Sequence, residues 1–177
     1  MLLAMVFVVF AVLWRVVPVM MGVNPLNFTP VAASLLFFGA RAPRRWLALP
    51  AGLLIASDVY LNLHAGYRVT PDLIITWGWY VAVLFFAGLL REHHKTAHVA
   101  GASLVASVSF FLVSNFAVWA VWEMYPRTLA GLGACYVAAI PFFRNTLVSD
   151  MVFTLAMFSV PVLVGYFSES RSRQAAA

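Results

Sequence analysis

Apolar residues run along this chain in long unbroken blocks, and short clusters of Arg, Pro, Asn or His separate them. Blocks of that kind predict helices that are apolar on every side, as in a membrane. Six are read as spans, at about residues 1–23, 28–40, 46–64, 72–90, 98–122 and 144–167. A crossing helix needs about 20 apolar residues at 1.5 Å rise each. The second block, Phe28 to Ala40, is short by that measure, although Thr29 and Pro30 suit a helix start. The connection 123–143 is long enough to hold a short helix of its own. No repeat or Gly/Ser linker divides the chain, so residues 1–167 are expected to form one transmembrane domain and 168–177 a polar cytoplasmic tail. The fold class that follows is an all-α membrane protein, a bundle of about six transmembrane helices.

Composition narrows the class further. Hydrophobic residues make up 64% of the chain and charged ones 10%, against about 25% charged in soluble domains. A soluble fold, a disordered chain and a nucleic-acid-binding arm are excluded, and the lipid bilayer is the first partner. The first block carries Arg15, has no basic leader and no small-residue cleavage site, so it reads as a retained span and not a signal peptide.

The net charge of +5 acquires a meaning once it is sorted by loop. With the N-terminus inside, Arg41, Arg44, Arg45, Arg91, Lys95, Arg171 and Arg173 fall on the cytoplasmic side, and Arg68, Arg127 and Arg144 on the other. Basic residues collect in cytoplasmic loops. The expected placement is the inner membrane of the cell, multi-pass, with both termini cytoplasmic.

Polar side chains inside the spans then gather in the outer half of the bilayer. Arg15, Asp58, His64, Asn115, Arg144, Asn145 and Asp150 all fall there, and the inner halves hold almost no ionisable group. Charge within hydrocarbon costs about 2.5–3.5 kcal/mol at the helix centre on insertion scales, so such residues face protein or a wet cavity. Asp58, Asn115, Arg144, Asn145 and Asp150 are expected to form the polar floor of an outward pocket, with Asn27, His64, Trp119, Tyr125 and Arg127 as rim or lid. Asn24, Tyr67, Arg68 and Asp72 add polar groups in the outer loops. Aromatic faces with a few convergent polar groups suit a small-molecule site of about 300 Å³ or more. Asp58 with Arg15 reads equally as an ion pair between helices. The carboxylates and arginines would balance one another in the empty state and exchange partners when a ligand enters.

Two further clusters point to no chemistry. His93, His94 and His98 crowd an inner loop among cationic neighbours, and nothing completes a metal set there. The single Cys135 excludes an intramolecular disulfide and reads as a buried thiol. No G-x-S-x-G, H-E-x-x-H, Walker A or G-x-G-x-x-G is present, so an enzyme is not expected, and no cofactor or metal.

Several motifs carry a resemblance. The run Asn27-Phe28-Thr29-Pro30-Val31-Ala32-Ala33, the pair Ser57-Asp58, the triplet Ser114-Asn115-Phe116, and the long stretch from Tyr125-Pro126-Arg127-Thr128 through Cys135 and Arg144-Asn145-Thr146 to Asp150 resemble a family of small bacterial membrane proteins of unknown function, described as candidate transport proteins. These are similar to the substrate-binding S components of energy-coupling-factor vitamin transporters. The resemblance implies a six-helix bundle that takes a vitamin-like solute from the outer side. It also implies an energising module as partner, but such docking commonly uses an Ala-x-x-x-Ala face on the first helix, and here Ala4 and Ala11 stand seven apart. The expected function is therefore a membrane transporter or substrate-binding component for uptake of a small molecule. The alternative is a structural or assembly protein whose polar cluster only locks the bundle.

Overall fold

A computed structural model describes residues 1–23, 27–65, 69–91 and 95–175, with the side chains of 171–175 excepted. Among the described residues it is all-helical. The helices are α1 (Leu2–Met20), α2 (Val31–Arg41), α3 (Ala48–His64), α4 (Pro71–Phe86), α5 (Thr96–Val121) and α6 (Leu129–Ala175), with short 3-10 segments at Arg44–Trp46 and Ala87–Arg91. Five helical stretches are long and apolar enough to cross a membrane, and Val31–Arg41 is not.

That shortest helix is the centre of the molecule. Every residue of α2 from Val31 to Ala40 is buried, and it packs against α1, α4, α5 and α6. An eleven-residue helix is about 16 Å long, half of what a bilayer requires. Its sequence, Val-Ala-Ala-Ser-Leu-Leu-Phe-Phe-Gly-Ala, is apolar all round because protein surrounds it all round. Phe37 meets Phe7 of α1 and Phe158 of α6 edge-on, at centroid distances of 4.9 and 5.1 Å. At Gly39 a Cβ would stand 2.4 Å from the Leu84 carbonyl oxygen and 2.7 Å from Ala87 Cβ. The approach of α2 to α4 is thus one that only glycine permits.

The end of α2 is closed by a side chain from elsewhere. Arg91, at the end of the 3-10 segment after α4, donates from Nε and Nη2 to the Gly39 carbonyl at 3.1 and 3.0 Å, and from Nη2 to that of Ala42. Those carbonyls belong to the last turn and cap of a buried helix and need donors. Arg91 therefore does more than mark a loop: its charge opposes the negative end of the α2 dipole.

The last helix differs from expectation. The sequence places a span at 144–167 after a connection, 123–143, long enough for a short helix of its own, whereas α6 is continuous over 47 residues with Pro141 and Pro161 inside it. The reason is α5. Tyr136 donates to the Leu112 carbonyl at 2.8 Å, and Phe111 packs on Tyr136 and Phe143 at 5.4 and 4.6 Å, so the 129–143 stretch lies along α5 and runs on. Thr128 caps the start, its Oγ1 accepting from the Gly131 N–H at 3.1 Å. A Cβ on Gly131 would lie 2.1 Å from the Pro126 carbonyl oxygen, so the turn before α6 closes only over glycine.

Small-residue steps also divide. Ala102 and Ala106 are buried between helices, while Ala48, Gly52 and Ala56 face outward. The connections α1–α2, α3–α4 and α5–α6 lie at one end of the bundle, called the hairpin end below. There α5 continues from Phe110, level with the start of α2, to Val121, about 16 Å further. Because α2 stops short, no helix among the described residues fills the space above its N-terminus.

Candidate functional site

Above α2 the chain enters through an uncommon backbone geometry. Asn27 has φ +62, a left-handed conformation that asparagine tolerates better than most residues. The chain then passes Thr29 and starts the helix after Pro30, with no side-chain cap on the first turn. The Ser34 hydroxyl turns back to the Val31 carbonyl at 2.8 Å and does not serve that end. The positive end of the α2 dipole is thus presented to whatever fills the space.

From α1, Arg15 reaches into this region. Its guanidinium pairs with Asp58 of α3 and donates to Tyr80 OH at 3.3 Å and Ser57 Oγ at 3.4 Å. The other Asp58 oxygen accepts from Trp77 Nε1 at 3.1 Å. Asp58 is 4% exposed, so both carboxylate oxygens are used and closed off. An acid on α3 and a base on α1 at matching depth neutralise each other inside an apolar bundle. This pair ties α1, α3 and α4 together.

Asp150 on α6 is arranged differently. It is 3% exposed, and Ser107 of α5 donates to its Oδ2 at 2.7 Å. The same hydroxyl is 3.1 Å from the Ser103 carbonyl. No Arg, Lys or His pairs with Asp150 among the described residues.

Between these groups lies a cavity of about 130 Å³ whose walls include Arg15, Asn27, Thr29, Trp79, Tyr80 and Asp150. A second, of about 270 Å³, continues toward the hairpin end between α5 and α6, past Ser114, Asn115 and Phe143. The two share Asn27, Phe110 and Thr146, so they adjoin. Neither alone reaches the roughly 300 Å³ expected of a drug-sized site.

A family profile matches residues 1–173, nearly the whole chain. The chain belongs to DUF6580, a family of unknown function. No curated protein and no solved structure matches it.

In this DUF6580 chain the expected site residues separate into three groups. Asn27, Asn115 and Asp150 line the cavities. Asp58 lies behind Arg15 and touches the space only through it. The remainder stand elsewhere, and the physical reasons differ. Arg144 is exposed on α6, and Asn145 beside it is half-buried and outside both cavities, because positions six and five residues before Asp150 on a helix lie about 120–140° around it from that residue. Trp119 and Arg127, expected as rim or lid, build the turn between α5 and α6. Trp119 Nε1 donates to the Pro126 carbonyl at 2.9 Å, and the Arg127 guanidinium lies 5.7 Å from the Trp119 ring centre. Tyr125 is half-buried in the same turn. His64 ends α3, exposed and stacked on Tyr60 at 6.0 Å. Asn24, Tyr67, Arg68, Glu92, His93 and His94 lie outside the described residues.

Other lining residues went unrecognised in the sequence. Trp79, Tyr80 and Phe110 are aromatic positions among many. Ser107, which lines neither cavity but donates to Asp150, had a usable signal, since Ser103 and Ser107 stand one helical turn apart in an apolar span. Cys135 is buried, with Sγ 3.5 Å from the Asn115 carbonyl, in the wall between α5 and α6.

Proposed function

We propose that the protein binds a small polar solute in the space above α2 and serves its uptake across the membrane from the hairpin side. The observation that carries this reading is a cavity inside the bundle lined by both a guanidinium and a carboxylate that has no cationic partner among the described residues. A polar cluster that merely locks helices closes on itself, as Arg15, Asp58 and Trp77 do. Asp150 is not closed in that way, and the unfilled first turn of α2 adds a partial positive charge beside it.

In this reading the hairpin end faces outward and both termini lie in the cytoplasm of a cell with an inner membrane. The arginines of the α2–α3 connection, Arg91, Lys95 and those of the tail support that orientation. The likeness to S components of vitamin transporters belongs to the same proposal. A solitary carrier fits better than one docked through α1, because Ala4 and Ala11 are 1% and 0% exposed and point into the bundle. The competing reading, a structural or assembly protein, draws on the closed Arg15 cluster alone.

Mass spectrometry of the detergent-purified protein tests the proposal. The expected result is a small-molecule adduct on the parent that is lost from Arg15→Met and Asp150→Asn. An adduct equally abundant on all three proteins would overturn the assignment of this space as the site, and a parent that binds nothing from a panel of small polar metabolites would favour the structural reading.

A further inference from the structure

A band of oxygen atoms runs between α5 and α6 just below the cavity. Ser103 and Ser107 are one turn apart on α5, and Asp150 and Thr154 are one turn apart on α6. The helices are antiparallel and Ser107 meets Asp150, so one turn further down Ser103 and Thr154 occupy the corresponding places. All four are buried, Ser103, Ser107 and Thr154 at 0% exposure and Asp150 at 3%.

Partners are short in this band. The Ser107 hydroxyl has one hydrogen and two acceptors in reach, Asp150 Oδ2 at 2.7 Å and the Ser103 carbonyl at 3.1 Å. Among the described residues, Ser103 Oγ and Thr154 Oγ1 are both buried with no hydrogen-bond partner. Arg15, the cation on the cavity wall, is engaged by Asp58. Unpaired polar atoms at membrane depth have no water to turn to, and each costs free energy.

We propose that Asp150, Ser107, Ser103 and Thr154 form a binding site for a sodium ion, entered from the cavity through Asp150. Sodium is a hard cation and takes oxygen ligands of this kind: one carboxylate, serine and threonine hydroxyls, a backbone carbonyl. It supplies the counter-charge that Asp150 lacks among the described residues and gives the two orphaned hydroxyl oxygens a partner. A proton on Asp150 would complete only the chain from Asp150 through Ser107 to the Ser103 carbonyl and leave Ser103 Oγ and Thr154 Oγ1 as they are. If the cavity takes up a solute as proposed above, solute and sodium share Asp150, and binding of one depends on the other. That dependence rests on the uptake reading, whereas the ion site is tested without any solute.

The test is thermal unfolding of the detergent-purified full chain in choline chloride, with NaCl replacing it at constant ionic strength. At ten times the dissociation constant sodium should raise Tm by about 3–6 °C, and potassium should not. Asp150→Asn should remove the rise. Thr154→Val, which keeps the shape of the side chain and loses only the hydroxyl, should shift the half-saturating sodium concentration upward by about tenfold. Equal shifts with sodium, potassium and choline would overturn the proposal. So would an unchanged sodium response in Thr154→Val, or a parent whose stability follows pH alone.

Discussion

Replacing Asp58 with asparagine tests the central electrostatic claim about the bundle. In the parent, one Asp58 oxygen pairs with Arg15 and the other accepts from Trp77 Nε1 at 3.1 Å, with Asp58 4% and the Arg15 side chain 17% exposed. In Asp58→Asn the amide would offer one acceptor oxygen to two donors, and its own N–H would oppose one of them. Arg15 would keep its charge in a site with no counter-ion. Breaking a buried pair in this way costs about 3–5 kcal/mol. At about 2–4 °C per kcal/mol for a chain of this size, Tm should fall by about 6–20 °C. The double variant Arg15→Met with Asp58→Leu removes both charges and replaces them with apolar volume. It should lose less than either single variant, because no uncompensated charge remains. Thermal unfolding of the parent, Arg15→Met, Asp58→Leu and the double variant in one detergent completes the cycle. If the double variant loses as much as the sum of the singles, the two residues are not coupled and the ion pair does not tie the helices together.

Gly39→Ala should destabilise by about 1–3 kcal/mol, since its Cβ would stand 2.4 Å from the Leu84 carbonyl oxygen. Gly52→Ala, with nothing within 4 Å of the added carbon, should be neutral or gain about 0.5–1 kcal/mol from helix propensity; equal losses at both positions in thermal unfolding would contradict the packing described for α2. Arg91→Met should cost about 1.5–3 kcal/mol by leaving the α2 carbonyls without their charged donor, and amide exchange near residues 38–42 should speed up. Unchanged exchange there would show that Arg91 does not hold that end.

Much of the architecture was legible in the unbroken apolar blocks. The membrane, the helical class and the position of each helix except the last follow from hydrophobic length, which is a local property of the chain. The shortness of α2 was legible too, in the few apolar residues between Phe28 and Ala40, but its meaning was not. Only packing against α1, α4, α5 and α6 shows that a helix too short to cross is the core around which the others stand.

The site divides on the same line. That buried polar groups gather toward one end was a matter of counting residues along spans, and so was the depth given to Asp150 and Asn115, whereas Asn27 came from the loop between the first two spans. Which acid is neutralised and which is left over depends on distances across helices far apart in sequence. Asp58 faces Arg15 over a separation of 43 residues, and Asp150 faces Ser107 over the same number. Trp119 and Arg127 had the composition of a rim and became the buttress of a turn, because the residue that receives Trp119, Pro126, presents a backbone carbonyl that composition does not reveal. Sequence determines how much polar chemistry enters the membrane and roughly how deep, since both follow from hydropathy and rise per residue. Tertiary structure alone decides which of those groups satisfy one another, because that depends on rotation of each helix about its own axis.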